Sequence, residues 1–153
     1  MPDLKTLSTG TKIVLAAGLL LLIDTFFAWQ EVSASIGGVE VASASANAWH
    51  GFWGVVMGLM LIVVLVWVGL QVANVDLNVT LPDRLIVLVL SVLILVFAIL
   101  KNLTDDYSAW ASVVGIVLAA ALAVGAWMRL QEPEEAVSAG AAPTQPPSPD
   151  QGA

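Results

Sequence analysis

Five positions in this 153-residue chain carry side chains able to do chemistry in an apolar setting: Asp24, His50, Lys101 and the adjacent pair Asp105 and Asp106. Asp24 stands in the run Leu19-Leu20-Leu21-Leu22-Ile23-Asp24-Thr25-Phe26-Phe27-Ala28-Trp29 and is the carboxylate that falls within an apolar stretch. An ionisable group at membrane depth is costly, so it marks either a functional site or one half of an ion pair. On a helix starting near residue 13, Asp24 lies about 16 Å above the start; Lys101, ending a parallel helix that starts near residue 85, lies about 24 Å above its own. Helical side chains lean back toward the N-terminus, which lowers both groups into the membrane and lets the long lysine close the gap. The leading expectation is an intramembrane Asp24–Lys101 ion pair acting as a structural clamp. Two other readings stay open: a protonated Asp24 bonded to a nearby backbone or hydroxyl group, and a working proton or substrate site of the kind found in transporters.

His50 lies in Asn47-Ala48-Trp49-His50-Gly51-Phe52-Trp53-Gly54. It could titrate and sense external pH, but an amphipathic ring hydrogen-bonding at an interface is the preferred reading. Asp105 and Asp106 could approach a cation, yet hard cations need six or more oxygens, so a solvated turn is preferred. With no cysteine and one histidine, neither a thiolate nor a histidine metal site is expected. No spacing fits a hydrolase triad, phosphate loop or haem site, and catalysis would need at least two cooperating polar groups in one cavity. Neither cofactor nor catalytic residue is expected, and a net charge of −7 without a basic patch argues against nucleic acid.

The elements that must position these residues are membrane spans. The chain is 59% hydrophobic and 11% charged, against roughly 25% charged in ordinary soluble domains. Apolar runs of about the ~20 residues that cross a bilayer fall near residues 13–29, 51–73, 85–100 and 109–128, apolar all round rather than in a stripe. The reading is an all-α membrane protein: a four-transmembrane-helix bundle over 13–130, with a short extracytoplasmic β-hairpin between helices 1 and 2. A cleaved signal peptide is the rival for the first run, disfavoured because the run continues past Asp24 to Trp29. Lys5, Lys12, Arg84 and Arg129 then share one side and only Lys101 the other, which places both termini, including residues 1–12, in the cytoplasm. Trp29, Trp49, Trp53 and Trp110 mark the outer interface; Trp67 and Trp127 mark the inner one.

Between spans 1 and 2, Val32-Ser33-Ala34-Ser35-Ile36 and Val39-Glu40-Val41-Ala42-Ser43 alternate around Gly37-Gly38, a hairpin signal; a flexible Ser/Ala/Gly loop is the competing reading. Such a hairpin is expected to rest on the outer helix ends, being marginal alone. In Thr80-Leu81-Pro82-Asp83, Thr80 is expected to cap the third helix. Residues 131–153, rich in proline and acid, read as a disordered cytoplasmic tail; Pro143-Thr144-Gln145-Pro146 fits a PxxP docking pattern, with a solvated tail preferred. Small residues mark helix contacts: Ala111, Gly115, Ala119 and Ala123 at every fourth position of span 4, and Gly54 and Gly58 in span 2.

Asp-x-Phe-Phe-x-Trp ending span 1, the Ser/Gly/Val segment, Ala-Trp-His-Gly-Phe-Trp-Gly entering span 2 and a lysine ending span 3 together resemble a group of small, uncharacterised four-span integral membrane proteins of actinobacteria. The resemblance covers about residues 13–129. It implies a topology and a bacterial cell-membrane location and supplies no catalytic residues. The layout is also similar to claudins in shape, without their cysteine pair, and to small multidrug transporters in having four spans and an acid in the first, without their motif. The expected role is a non-enzymatic structural or accessory component of the envelope, partnered by the lipid bilayer and by a second copy or another membrane protein. The alternative is a small proton- or ion-coupled transporter using Asp24.

Overall fold

The computed structural model describes residues 5–75 and 80–133. The elements run α1 (Thr9–Asp24), β1 (Ala28–Ile36), β2 (Val39–Asn47), α2 (Phe52–Val72), α3 (Asp83–Thr104) and α4 (Trp110–Gln131). The proposed tail lies outside the described residues from 134 onward, as does part of the link between α2 and α3.

α1 begins where extended Ser8 turns its hydroxyl back to accept from Thr11 N at 3.2 Å, satisfying one of the donors a helix start leaves free. It ends at Asp24 and not at Trp29. Phe26 N and Phe27 N close onto Ile23 O and Asp24 O at 3.1 and 3.0 Å, and the chain then extends into β1. Sixteen residues rise about 24 Å, less than the ~30 Å of a hydrocarbon core. The expectation of four spanning helices is corrected accordingly: α2, α3 and α4 are long and apolar enough to cross a membrane, and α1 is not. The reason is local. The aromatic end of the expected first span folds back as turn and strand, which carries Trp29 into the protein interior.

α2 stops in a left-handed cap. Asn74 has φ 54, with Val75 N bonding Leu70 O at 3.1 Å and Asn74 N bonding Gln71 O at 3.0 Å, the paired bonds of a Schellman ending. α3 starts at Asp83 with Pro82 at its N-cap position and no side-chain cap bond, so Thr80 does not cap it. Proline holds the entering backbone, and Asp83 engages side chains of neighbouring helices.

Contacts run α1 to α2, α2 to α3, α3 to α4 and α4 back to α1, a ring of sequence neighbours. Gly10 lies against Arg129 and Gly125 while Gly115 lies against Asp24, so α1 and α4 are antiparallel along their whole contact. The core is Val14, Leu21, Met57, Leu61, Val64, Val68, Val87, Ile94, Ala119 and Leu122. The outside is as apolar as the inside: Leu19, Leu20, Leu59, Val63, Val89, Val117 and Val124 are exposed. Such a surface is matched to lipid.

The hairpin forms as the Gly-Gly signal indicates and is longer than the two alternating runs. Gly37 and Gly38 have φ 62 and 82, the positive values a two-residue turn of this hand demands. Ile36 pairs Val39, Ala34 pairs Ala42, Val32 pairs Ala44 and Gln30 pairs Ala46, with register shifts at Trp29 and Val41. The expectation that it rests on the helix ends is corrected. β1 touches α4, whereas among the described residues β2 packs on β1 alone; both strands are exposed over most of their length. The structure is an arm projecting from one end of the bundle.

Candidate functional site

Asp24 and its neighbour Thr25 sit where α1 stops, and together they hold both legs of the arm. Asp24 is 5% exposed and Thr25 is buried. Trp29, the first anchor, is the largest fully buried side chain among the described residues. Its Nε1 donates to Asp24 Oδ2 and to Asp24 O, each at 3.1 Å. On the returning leg, Trp49 Nε1 donates to Thr25 Oγ1 at 3.1 Å. Ala48 N donates to Thr25 O at 3.1 Å, and the threonine hydroxyl itself donates to Leu22 O at 2.6 Å.

Each indole has a glycine seat on a helix. A β-carbon at Gly115 of α4 would collide with the Trp29 ring and stand 2.7 Å from Asp24 Oδ2; one at Gly58 of α2 would stand 2.6 Å from the Trp49 ring. At Gly54 it would overlap the Ala48 carbonyl oxygen. The Gly54 and Gly58 pair therefore admits the returning loop onto α2, where the sequence reading has it admit another helix. The span 4 stripe does lie on a buried face of α4, with Gly115 against Trp29 and Asp24, but with one correction. Ala111, Gly115 and Ala119 are buried, and Leu122 and Ala126 continue the row while Ala123 is only half-buried. Steps of four overshoot the 3.6-residue turn, so the buried row must shift by a step of three.

The expected Asp24–Lys101 pair is not formed. Lys101, 2% exposed, places Nζ 2.9 Å from Asp105 Oδ2 one turn along its own chain and donates to His50 O at 3.0 Å. Lateral position as well as depth decides contact, and an i,i+4 carboxylate is already beside the lysine. Among the described residues Asp24 has no cation within 4 Å, and its donor is the neutral indole.

The other candidates fall as follows. His50 is exposed, and its contribution here is its backbone carbonyl. Asp105 is the lysine's partner and Asp106 is exposed. Trp53 packs on Phe52 and Phe97 at centroid distances of 5.4 Å each. With Phe26 against Trp49 and Phe27 against Trp110, these rings girdle the hairpin end of the bundle. Among the described residues no cluster of three His, Asp or Glu side chains converges as a metal site would need.

The opposite end carries a network that the sequence reading did not single out. Gln71 Nε2 donates to Asp83 Oδ2 at 2.6 Å, Arg129 pairs with Asp83 at 3.5 Å, and Arg129 also donates to Gln71 Oε1. Arg84 donates to Glu132 O, and Gly10 N donates to Glu132 Oε1 at 2.9 Å. All four helices are thereby tied at that end. The available signal was Gln71, an amide in the last turn of an otherwise apolar helix. A cleft of about 390 Å³ opens beside this network, lined by Pro82, Asp83, Arg84, Leu85, Leu130, Glu132 and Pro133. It lies at the far end from Asp24.

No protein family, no curated protein and no solved structure matches this chain.

Proposed function

We propose that this chain is a multi-pass protein of the bacterial inner membrane, without catalytic activity, that presents the hairpin arm outside the cell as a structural or accessory component of the envelope. The observation that carries this reading is the double anchor. At the hairpin end Asp24, Thr25 and Lys101 all engage the arm or its flanking loops, and Asp105 holds the lysine. None of them lines the cleft at the other end of the bundle. A group held in this way positions a rigid projection. In this reading α2, α3 and α4 cross the membrane and α1 packs beside them. It lies antiparallel against α4 from Arg129 to Gly115, and the aromatic girdle beyond it meets the outer headgroups. Membership of the actinobacterial four-span group is part of the same proposal.

The test is the arm itself. Replacing residues 30–46 by a short Gly/Ser linker should leave a membrane-inserted bundle and abolish the envelope phenotype of a deletion strain. Full complementation by the armless protein would overturn the reading.

One observation favours a second reading, a small proton- or ion-coupled transporter: among the described residues Asp24 has no cationic partner within 4 Å. Proteoliposomes separate the two. A proton or cation flux lost in Asp24→Asn, with the fold intact, would establish transport; a flux equal to that of empty vesicles would remove it.

A further inference from the structure

The arm is two-faced. Directly paired residues share a face on both sides of the bulge at Val41, so one face carries Val32, Ala34, Ile36, Val39, Ala42 and Ala44, and the other carries Glu31, Ser33, Ser35, Glu40, Ser43 and Ser45. The apolar face is open: Ile36 is 73% and Val39 66% exposed. A lone two-stranded hairpin is marginal in water and needs a further layer, and among the described residues no helix reaches β2.

We propose that the apolar face of the arm is a self-association surface, stacked against the same face of a second copy of this chain in the same membrane. Three observations select that occupant. The first is side-chain type. Where this end of the molecule meets headgroups it uses rings, with Phe26, Phe27, Phe52 and Trp110 all exposed, as interfacial anchors do. The arm face has none, only methyl-bearing side chains, mostly small, which suit close sheet stacking. The second is charge. Glu31 and Glu40 lie on the opposite face, where two copies would repel, so stacking is confined to the apolar side. The third is area. Nine-residue strands about 30 Å long and ~10 Å across as a pair cover roughly 300 Å² per copy, or roughly 600 Å² in all. That is about half of the smallest specific interfaces in water, so the contact fits copies already confined and co-oriented by a bilayer. A two-fold axis along the membrane normal brings the two faces together, self-complementary as such symmetry requires.

The proposal rests on the membrane reading above, and the experiment keeps the two apart. The chain has no native cysteine, so single replacements report cleanly. Ala34→Cys and Ala44→Cys sit on the apolar face; Ser33→Cys and Ser43→Cys sit on the polar face. In membranes treated with a short bis-maleimide, the first two should cross-link as dimers several-fold more than the last two. Adding Ala34→Glu to Ala44→Cys should remove that cross-link. In nanodiscs holding one copy each, all four cysteines should react freely with an aqueous maleimide. Equal cross-linking from both faces, or none from the apolar face, overturns the proposal. Protection of Ala34→Cys in single-copy nanodiscs overturns it in favour of lipid cover. Failure of the membrane reading would show separately, as protein that does not enter nanodiscs.

Discussion

Trp29 and Trp49 each end in a hydrogen bond to the last residue of α1 or its cap, and Trp67 does not: its Nε1 is buried without a partner among the described residues. The three indoles therefore differ in what a Trp→Phe change removes. At Trp29 it leaves the buried Asp24 carboxyl without its side-chain donor, a loss of about 1–3 kcal/mol. At Trp49 it frees the buried Thr25 hydroxyl for about 1 kcal/mol. At Trp67 no bond is lost and a buried unsatisfied donor disappears. Thermal melting in detergent should rank Trp29→Phe as most damaging, then Trp49→Phe, then Trp67→Phe; equal losses at all three would show that ring packing alone matters. Lys101 supports a second expectation. A double-mutant cycle between Lys101→Met and Asp105→Asn should give a coupling of about 1 kcal/mol or more, whereas Lys101→Met with Asp24→Asn should add to within about 0.3–0.5 kcal/mol, as sites without a shared contact do. The reverse ranking would restore the long-range pair. The error in the sequence reading is instructive here. Depth along parallel helices follows from residue rise, and it set Asp24 and Lys101 within the reach of a lysine side chain. Azimuth around the bundle does not follow from it, and a carboxylate four residues on, at Asp105, needs no tertiary arrangement to reach the lysine.

At the scale of elements, glycine does two different jobs in α2. Gly54 and Gly58 make room for the Ala48 carbonyl and the Trp49 ring, while a β-carbon at Gly69 would meet nothing within 4 Å. Gly54→Ala should be the most destructive, because the colliding atom is backbone and cannot swing aside. Gly58→Ala and Gly115→Ala press on buried indoles and should cost about 1–3 kcal/mol, the range for overpacking. Gly69→Ala should stabilise the helix by roughly 0.5–1 kcal/mol. Melting temperatures of the four variants check the order, and a neutral Gly54→Ala would mean that the loop does not lie on α2. The helices themselves were legible, with limits within a few residues for α2 and α4, because apolar run length is what the bilayer demands. The hairpin was legible from Gly37-Gly38 and the alternation beside it. The seat of Trp49 on Gly58 was not, because small residues spaced by four admit a helix, a loop or a ring equally well, and only the fold chooses. The shortening of α1 was also hidden: Phe26, Phe27, Ala28 and Trp29 read as apolar helix, yet tertiary burial of one indole draws them into turn and strand.

For the whole molecule, the two ends of the bundle are chemically unlike, and this gives orientation a physical basis. One end carries Arg84 and Arg129, joined to Asp83, Gln71 and Glu132, with the start of α1 beside them. The other carries the aromatic girdle, the arm and a single base, Lys101, neutralised by Asp105. Bases that flank short loops are retained on the cytoplasmic side, so the proposed orientation has the arginine end inside and the arm outside. Two exposed positions report this directly: Ser43 on the arm and Leu81, 61% exposed, in the link between α2 and α3. In intact cells an impermeant maleimide should label Ser43→Cys and leave Leu81→Cys untouched until the membrane is permeabilised. The opposite pattern would invert the protein. Labelling of both in intact cells would mean that the two ends are not separated by a bilayer, and the spanning assignment of α2 would fall with it. Adding Arg84→Glu and Arg129→Glu to the Ser43→Cys chain separates cause from correlation. If those bases set the orientation, removing both should reduce surface labelling at Ser43; unchanged labelling would assign the orientation to Lys5 and Lys12 at the start of the chain.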